Sequence, residues 1–111
     1  MKNDSYISWD FDGTLYDNKT KSINHEALKI FNQQRADGQN VCITTARNYD
    51  GLSEIKRYFP DVLLFNTSGA DKGEFLKNEC PVQVSMHYDN RLDVCQSLVG
   101  SEIKPIFVQI V

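Results

Sequence analysis

Five short runs rich in β-branched and aromatic residues alternate with helical patterns along this chain, and that alternation limits the fold more than any other feature. Residues 6–10 read as the first strand, and a polar loop follows through Ser22. From Asn24 a helix is predicted, with Ala27, Leu28, Ile30 and Phe31 as its apolar face, Asn24 as its cap and Gly38 as its stop. Val41-Cys42-Ile43-Thr44 lacks alternation, as expected of a strand covered on both faces. A second helix is predicted over residues 50–58, with Leu52, Ile55 and Tyr58 or Phe59 inward and Pro60 as its limit. Residues 62–65 form a third strand, and Asp71 caps a short helix carrying Phe75 and Leu76. Residues 82–88 form a fourth strand, and residues 90–99 a helix on Leu92, Cys95, Leu98 and Val99 that stops at Gly100. Residues 105–111 alternate into a final strand, with Ile106, Val108 and Ile110 set against Phe107, Gln109 and Val111. Such a sequence of elements calls for right-handed crossovers and a mostly parallel five-stranded sheet covered on both faces. At 111 residues it makes one domain, residues 1–111.

In sheets of this kind ligands bind beyond the carboxyl ends of the strands. Strand one ends at Asp10-Phe11-Asp12, strand two at Thr44-Thr45-Ala46-Arg47, and strand four at Tyr88-Asp89-Asn90-Arg91 with Asp93 beyond. Alternate side chains of a strand share a side, so Asp10 and Asp12 converge if strand geometry holds to Asp12, while Phe11 points into the core. Converging carboxylates repel unless a cation or a shared proton relieves them. The pair therefore suggests a metal site, an acid/base pair or both; a solvated turn is the plain alternative. Singly, Thr45 reads as a turn hydroxyl, Asp89 as a helix cap, Asp93 as a first-turn acid favoured by the helix dipole, and Lys72 as a solvated lysine. Jointly they gather where the fold collects polar groups.

Net charge is −3 and the isoelectric point near 5.2, which argues against a module held to a nucleic acid by broad attraction to phosphates. Lys19 and Lys21 make at most a local basic patch, and a solvated loop is the simpler reading. No apolar run approaches the roughly 20 residues of a membrane span. Residues 1–5 lack the apolar core of a signal peptide. Cys42, Cys80 and Cys95 have no CxxC spacing, so reduced buried thiols and a cytoplasmic location are expected, without a zinc site.

Taken in order, these residues resemble the haloacid dehalogenase-like hydrolase superfamily over essentially the whole chain. Asp10-Phe11-Asp12-Gly13-Thr14-Leu15 matches the family's first motif, a hydrophobic strand followed by DxDGT. Val41-Cys42-Ile43-Thr44-Thr45-Ala46-Arg47 resembles the second, with Thr45 as its hydroxyl and Thr44 as the alternative. Lys72 stands where the third motif's lysine opens a helix, and Asp89-Asn90-Arg91-Leu92-Asp93 resembles the acidic fourth motif. Asn90 is a departure, since many relatives carry a second consecutive Asp there, and Asp93 can supply the second carboxylate.

The resemblance implies a three-layer, Rossmann-like phosphatase core that works through an aspartyl-phosphate. Asp10 would be the nucleophile and Asp12 the general acid and base. Asp10, the main-chain carbonyl of Asp12, and Asp89 would hold Mg²⁺, with Asp93 in or behind that set. Lys72 would neutralise Asp10 and a phosphate oxygen, while Thr45 with Gly13, Thr14, Ala46 and Arg47 would hold the others. Arg47 and Arg91 are read first as partners of local carboxylates and second as substrate contacts, and His25 and His87 as structural. Neither the gap after Gly13 nor that between Thr45 and Lys72 houses a cap domain of roughly 50 residues or more. An open site suits large or exposed phosphorylated substrates, or closure by a second copy of the chain. The fourth motif also resembles that of polynucleotide-end phosphatases, a pointer the acidic charge does not support. A non-catalytic module that keeps the fold to bind metal or phosphate is the competing class.

Overall fold

A computed structural model describes residues 4–110. Residues 1–3, part of the segment read above as lacking a signal-peptide core, and Val111, assigned above to the last strand, lie outside the described residues. The elements run β1 (Tyr6–Trp9), β2 (Tyr16–Asp17), β3 (Ser22–Ile23), α1 (His25–Ala36), β4 (Asn40–Thr45), a 3₁₀ turn at Tyr49–Gly51, α2 (Leu52–Tyr58), β5 (Leu63–Asn66), α3 (Lys72–Glu74) continued by a π turn at Phe75–Glu79, β6 (Val84–Asp89), α4 (Leu92–Leu98) and β7 (Lys104–Phe107). Five strands form one sheet in the order β5-β4-β1-β6-β7, and every neighbouring pair in it is parallel. β1 is central, so the chain leaves it in both directions by crossovers, as the alternation requires. Among the described residues no helix is long and apolar enough to cross a membrane.

Several elements differ in detail from the sequence-based expectation. The polar loop after Gly13 contains a small antiparallel hairpin, β2 with β3. Asn24 occupies the cap position of α1, but its amide donates to the Thr14 carbonyl (3.0 Å) instead of capping. It thereby ties α1 to the loop behind Asp12. Ala27 and Phe31 are buried on α1, whereas Ile30 is about half exposed. On α2 the inward aromatic residue is Phe59, not Tyr58. α4 buries Val94, Cys95 and Leu98. Leu92 is two residues from Val94, about 200° around the helix, and is exposed. Val99 has left the helix and is exposed too. β7 ends at Phe107, and Val108 continues only by donating its amide to Asp89 O (2.8 Å). Cys42 and Cys95 are buried free thiols, and Cys80 is half-buried.

The sheet separates two interiors. One joins Ile7, Trp9, Val41 and Ile43 to Ala27 and Phe31 of α1 and to Leu52 and Ile55 of α2. Trp9 stacks flat on Tyr88 of the next strand, ring centroids 3.8 Å apart, and meets Phe31 edge-on. The other contains the smaller apolar cluster of Leu76, Val84, Leu98 and Ile103.

Candidate active site

Period-two alternation brings Ser8 and then Asp10 to one side of β1, and His87 and then Asp89 to the same side of β6, where Ser8 and His87 are register partners. The Asp10 amide still joins the ladder, donating to Tyr88 O (2.8 Å). Asp10 and Asp89 therefore stand together at the carboxyl ends of adjacent central strands. Lys72 reaches them from the first turn of α3, where Asp71 Oδ1 accepts the Glu74 amide (3.0 Å) and caps the turn. Gly73 allows α3 to approach α4, since a Cβ there would meet Ser97 Oγ at 2.0 Å. Lys72 Nζ donates to Asp10 Oδ1 (2.6 Å) and Asp89 Oδ2 (3.0 Å), and all three side chains are buried.

Two carboxylates and one ammonium leave this buried cluster one negative charge in excess. Burial pushes the Asp10 carboxyl up from its ordinary 3.8 to about 6; Lys72 opposes the rise, and the charge of Asp89 adds to it. Burial also acts on Asp89, but the hydrogen bond from His87 and the charge of Lys72 outweigh it and hold Asp89 below the usual carboxylate range. For Lys72, burial disfavours the ammonium, yet the two carboxylates prevail and hold it above its ordinary value.

Asp12 does not converge with Asp10. The strand ends at Trp9 and the chain turns through Phe11, which is fully buried as expected. Asp12 then enters a bridge with Tyr16, and its carboxylate is gripped on both oxygens by Arg47, from Nε to Oδ2 and from Nη2 to Oδ1, each 2.8 Å. Arg47 also donates to Glu54 Oε1 (2.8 Å) and Gly51 O (2.9 Å), and its guanidinium carbon lies 5.2 Å from the Phe11 ring centroid. Each carboxylate of the pair thus has its own cation. Arg91 pairs with Asp93 on the surface (2.7 Å), and no bond joins Asp93 to the Lys72 cluster among the described residues.

Of the two candidate hydroxyls, Thr44 Oγ1 is engaged with Ser8 Oγ (2.8 Å), while Thr45 Oγ1 accepts the Arg47 amide (3.2 Å). The loop after β4 is pinned to the loop after β5, where Thr67 and Gly69 donate their amides to the carbonyls of Thr45 and Ala46. Thr67 Oγ1 there is buried without a hydrogen-bond partner among the described residues. Gly13 and Thr14 give their amides to Tyr16 O and Phe11 O, closing the turn, and the Thr14 hydroxyl donates to Asp10 Oδ2 (3.0 Å).

Asn90 packs into this turn. Gly13 has φ +82°, a backbone conformation that favours glycine, and the end of the Asn90 side chain lies where a Cβ would stand. With its nitrogen turned inward, Asn90 donates to Asp10 Oδ2 (3.0 Å) and to the main-chain oxygen of Asp12 (3.2 Å); the opposite orientation would set its oxygen against both acceptors. Among the described residues no three His, Cys, Asp or Glu side chains form a metal centre by themselves. The convergence of a carboxylate and a carbonyl oxygen on one point nevertheless fits a hard cation, whose ligands are oxygens and waters. Asp89 is more fully committed, with Oδ2 bonded to His87 and Lys72 and Oδ1 to the Arg91 amide (3.0 Å).

Sequence reasoning missed Ser8, took Asn90 only as a departure from the fourth motif, and read His87 as structural. Ser8 and His87 each precede a site aspartate by two residues on a strand, and that period is the signal that points to them.

A model of the family described as haloacid dehalogenase-like hydrolase matches residues 7–84, a span that includes Asp10, Asp12, Thr45 and Lys72 and ends before Asp89. No curated protein and no solved structure matches the chain.

Proposed function

Because the chain belongs to the haloacid dehalogenase-like hydrolase family, we propose that it hydrolyses phosphate monoesters in the presence of Mg²⁺, through an aspartyl-phosphate formed on Asp10. The observation that carries this reading is the buried Lys72 ammonium bonded to both Asp10 and Asp89. It keeps a nucleophilic carboxylate charged and aimed where it would otherwise be too costly to ionise. An Asp10 oxygen attacks phosphorus as the ester P–O bond breaks, and the leaving oxygen takes a proton from Asp12. Water then attacks the acyl phosphate, Asp12 takes its proton, and inorganic phosphate departs with Asp10 restored. A carboxylate gripped by Arg47 only accepts, so Asp12 must turn from that grip and take up a proton from water before it can deliver one.

Asp10 and the carbonyl of Asp12 would hold Mg²⁺, with Asn90 turning its oxygen inward and Asp89 behind them. What the ion supplies there is positive charge between two anions, carboxylate and phosphate. Thr45, the orphaned Thr67 hydroxyl and Lys72 are the donors for phosphate oxygens. A cleft of about 400 Å³ beside Gly13 and Asn90, bounded also by Lys19, Phe107 and Gln109, would receive the alcohol half. Since no cap domain interrupts the chain, the substrate is a large or exposed phosphate, or a second copy covers the site.

The test is turnover of p-nitrophenyl phosphate, then of nucleotides, sugar phosphates and end-phosphorylated oligonucleotides. Activity should require Mg²⁺, vanish with EDTA, and fall at least about a thousandfold in Asp10→Asn. Metal-dependent activity that survives Asp10→Asn in pure protein would remove Asp10 as nucleophile. The Arg47 grip on Asp12 favours a second reading, binding without turnover. Inactivity across the whole panel, with Mg²⁺ and phosphate still bound, would select it.

A further inference from the structure

Beneath the candidate nucleophile a line of polar side chains crosses three strands inside the protein. Thr44 Oγ1 lies 2.8 Å from Ser8 Oγ, Ser8 Oγ lies 2.9 Å from His87 Nδ1, and His87 Nε2 lies 2.7 Å from Asp89 Oδ2. Thr44, Ser8, His87 and Asp89 are all wholly buried, and from Asp89 the line continues through Lys72 to Asp10. A buried polar group without a partner costs free energy, so an apolar triplet would have been the simpler filling for Ser8, Thr44 and His87. Every member is instead satisfied.

The chemistry fixes where the protons lie. A carboxylate only accepts, so His87 Nε2 carries a hydrogen. A ring that donates through Nε2 leaves Nδ1 to accept from the Ser8 hydroxyl, and Ser8 accepts from Thr44. The ring is then held at both nitrogens, and Asp89 at both oxygens, by His87 and Lys72 on Oδ2 and by the Arg91 amide on Oδ1.

We propose that His87 is a positioning residue for the Asp10–Lys72–Asp89 cluster: suspended from Ser8, it aims the Asp89 carboxylate at Lys72 and so keeps the ammonium on Asp10. Only the activity arm of its test rests on the phosphatase reading. At its far end the line stops in the sheet at Thr44, which is wholly buried, so it holds geometry and offers no proton path away from the site. Removing the ring leaves Asp89 Oδ2 with Lys72 alone, and the ammonium is then drawn from Asp10 toward the less satisfied carboxylate.

The variants are His87→Leu, which deletes the donor, His87→Gln, whose amide nitrogen can still donate to Asp89, and Ser8→Ala, which deletes the group that orients the ring. Nitrogen NMR of the wild-type ring should show Nε2 protonated and Nδ1 bare, and the buried Lys72 ammonium should give a slowly exchanging signal. In His87→Leu that signal should be lost and kcat should fall about 10–100-fold with little change in KM, the usual scale for removing a group that orients a site ligand. His87→Gln should restore both, and Ser8→Ala should fall between. An Nδ1-protonated ring, an unchanged Lys72 signal in folded His87→Leu, or a His87→Gln as impaired as His87→Leu would each overturn the proposal. If His87→Leu does not fold, the wild-type ring and the other two variants decide. If the protein hydrolyses no phosphate ester, the functional reading falls while the two NMR signals still decide this one.

Discussion

On the side of the sheet covered by α1, the three central strands present Ile7, Trp9, Val41, Ile43 and Tyr88; on the other, the same strands present Ser8, Asp10, Cys42, Thr44, His87 and Asp89. The first side closes a continuous aromatic and aliphatic core. The second holds only a small apolar cluster beside its polar line. Burial on the first side removes apolar surface from water and stabilises the fold at about 25 cal/mol per Å². On the second, burial strengthens every charge interaction and makes any unpaired group costly. Stability and site geometry are thus assigned to opposite faces of one sheet, and substitutions can show whether that division is real.

The largest effect is expected on the apolar face. Phe31 is wholly buried between Trp9 and Phe59, and Phe31→Ala should lower unfolding free energy by about 3–5 kcal/mol. Ile55→Val on the same face should cost about 0.5–1.5 kcal/mol. Urea denaturation measures both, and turnover per folded molecule should be unchanged in each. A fall in kcat matching the loss of stability would join the two faces again.

The polar face should respond to pH instead. Asp10 binds its proton more tightly folded, near pH 6, than unfolded, near its ordinary 3.8. Between those values the native state holds the extra proton, so this group favours folding at low pH, and its contribution is lost as pH rises through about 6. Asp10→Asn removes that charge. The variant should therefore be more stable than the wild type at pH 8, by on the order of 3 kcal/mol, with the gap closing as pH falls below 6. Melting temperatures of the two proteins without metal, taken from pH 8 to pH 5, test this. A gap that does not move with pH would mean that Lys72 neutralises Asp10 completely.

Much of this arrangement was legible in the sequence. Strand and helix patterns gave the elements, and Asp10, Lys72 and Asp89 fall where a parallel sheet gathers polar side chains. What escaped depended on where the chain leaves a ladder. Strand alternation extrapolated past Trp9 puts Asp12 beside Asp10, but the turn closed by Gly13 and Tyr16 swings Asp12 to Arg47. Nothing local to Asp12 announces Glu54, far along the chain, as the group that braces that arginine. Leu92 and Val99 misled because hydrophobicity was counted without the phase of a short helix, which Val94, Cys95 and Leu98 set. Ser8 and His87 were readable by period but look like ordinary packing until their strands are known to be neighbours.

The smallest effect predicted among the charged groups concerns the second carboxylate. The Arg47–Asp12 pair resembles the Lys72–Asp10 pair in charge and distance, yet the Asp12 side chain is about one-third exposed and that of Asp10 almost wholly buried. Water screens the first and solvates whatever is left behind when a partner is removed. Arg47→Ala should therefore cost only about 1 kcal/mol of stability, despite losing two contacts to Asp12, one to Glu54, one to Gly51 O and the contact with the Phe11 ring. Freed from the guanidinium, Asp12 gains rotational freedom, so the activity effect should fall on proton delivery. kcat should rise, since Asp12 no longer has to turn from that grip to deliver a proton, while the pH dependence set by Asp10 stays in place. Urea denaturation and a kcat–pH profile read the two consequences separately. If Arg47→Ala is as destabilising as the loss of Phe31, the grip on Asp12 is part of the fold's own support, and the division between the faces extends no further than the central strands.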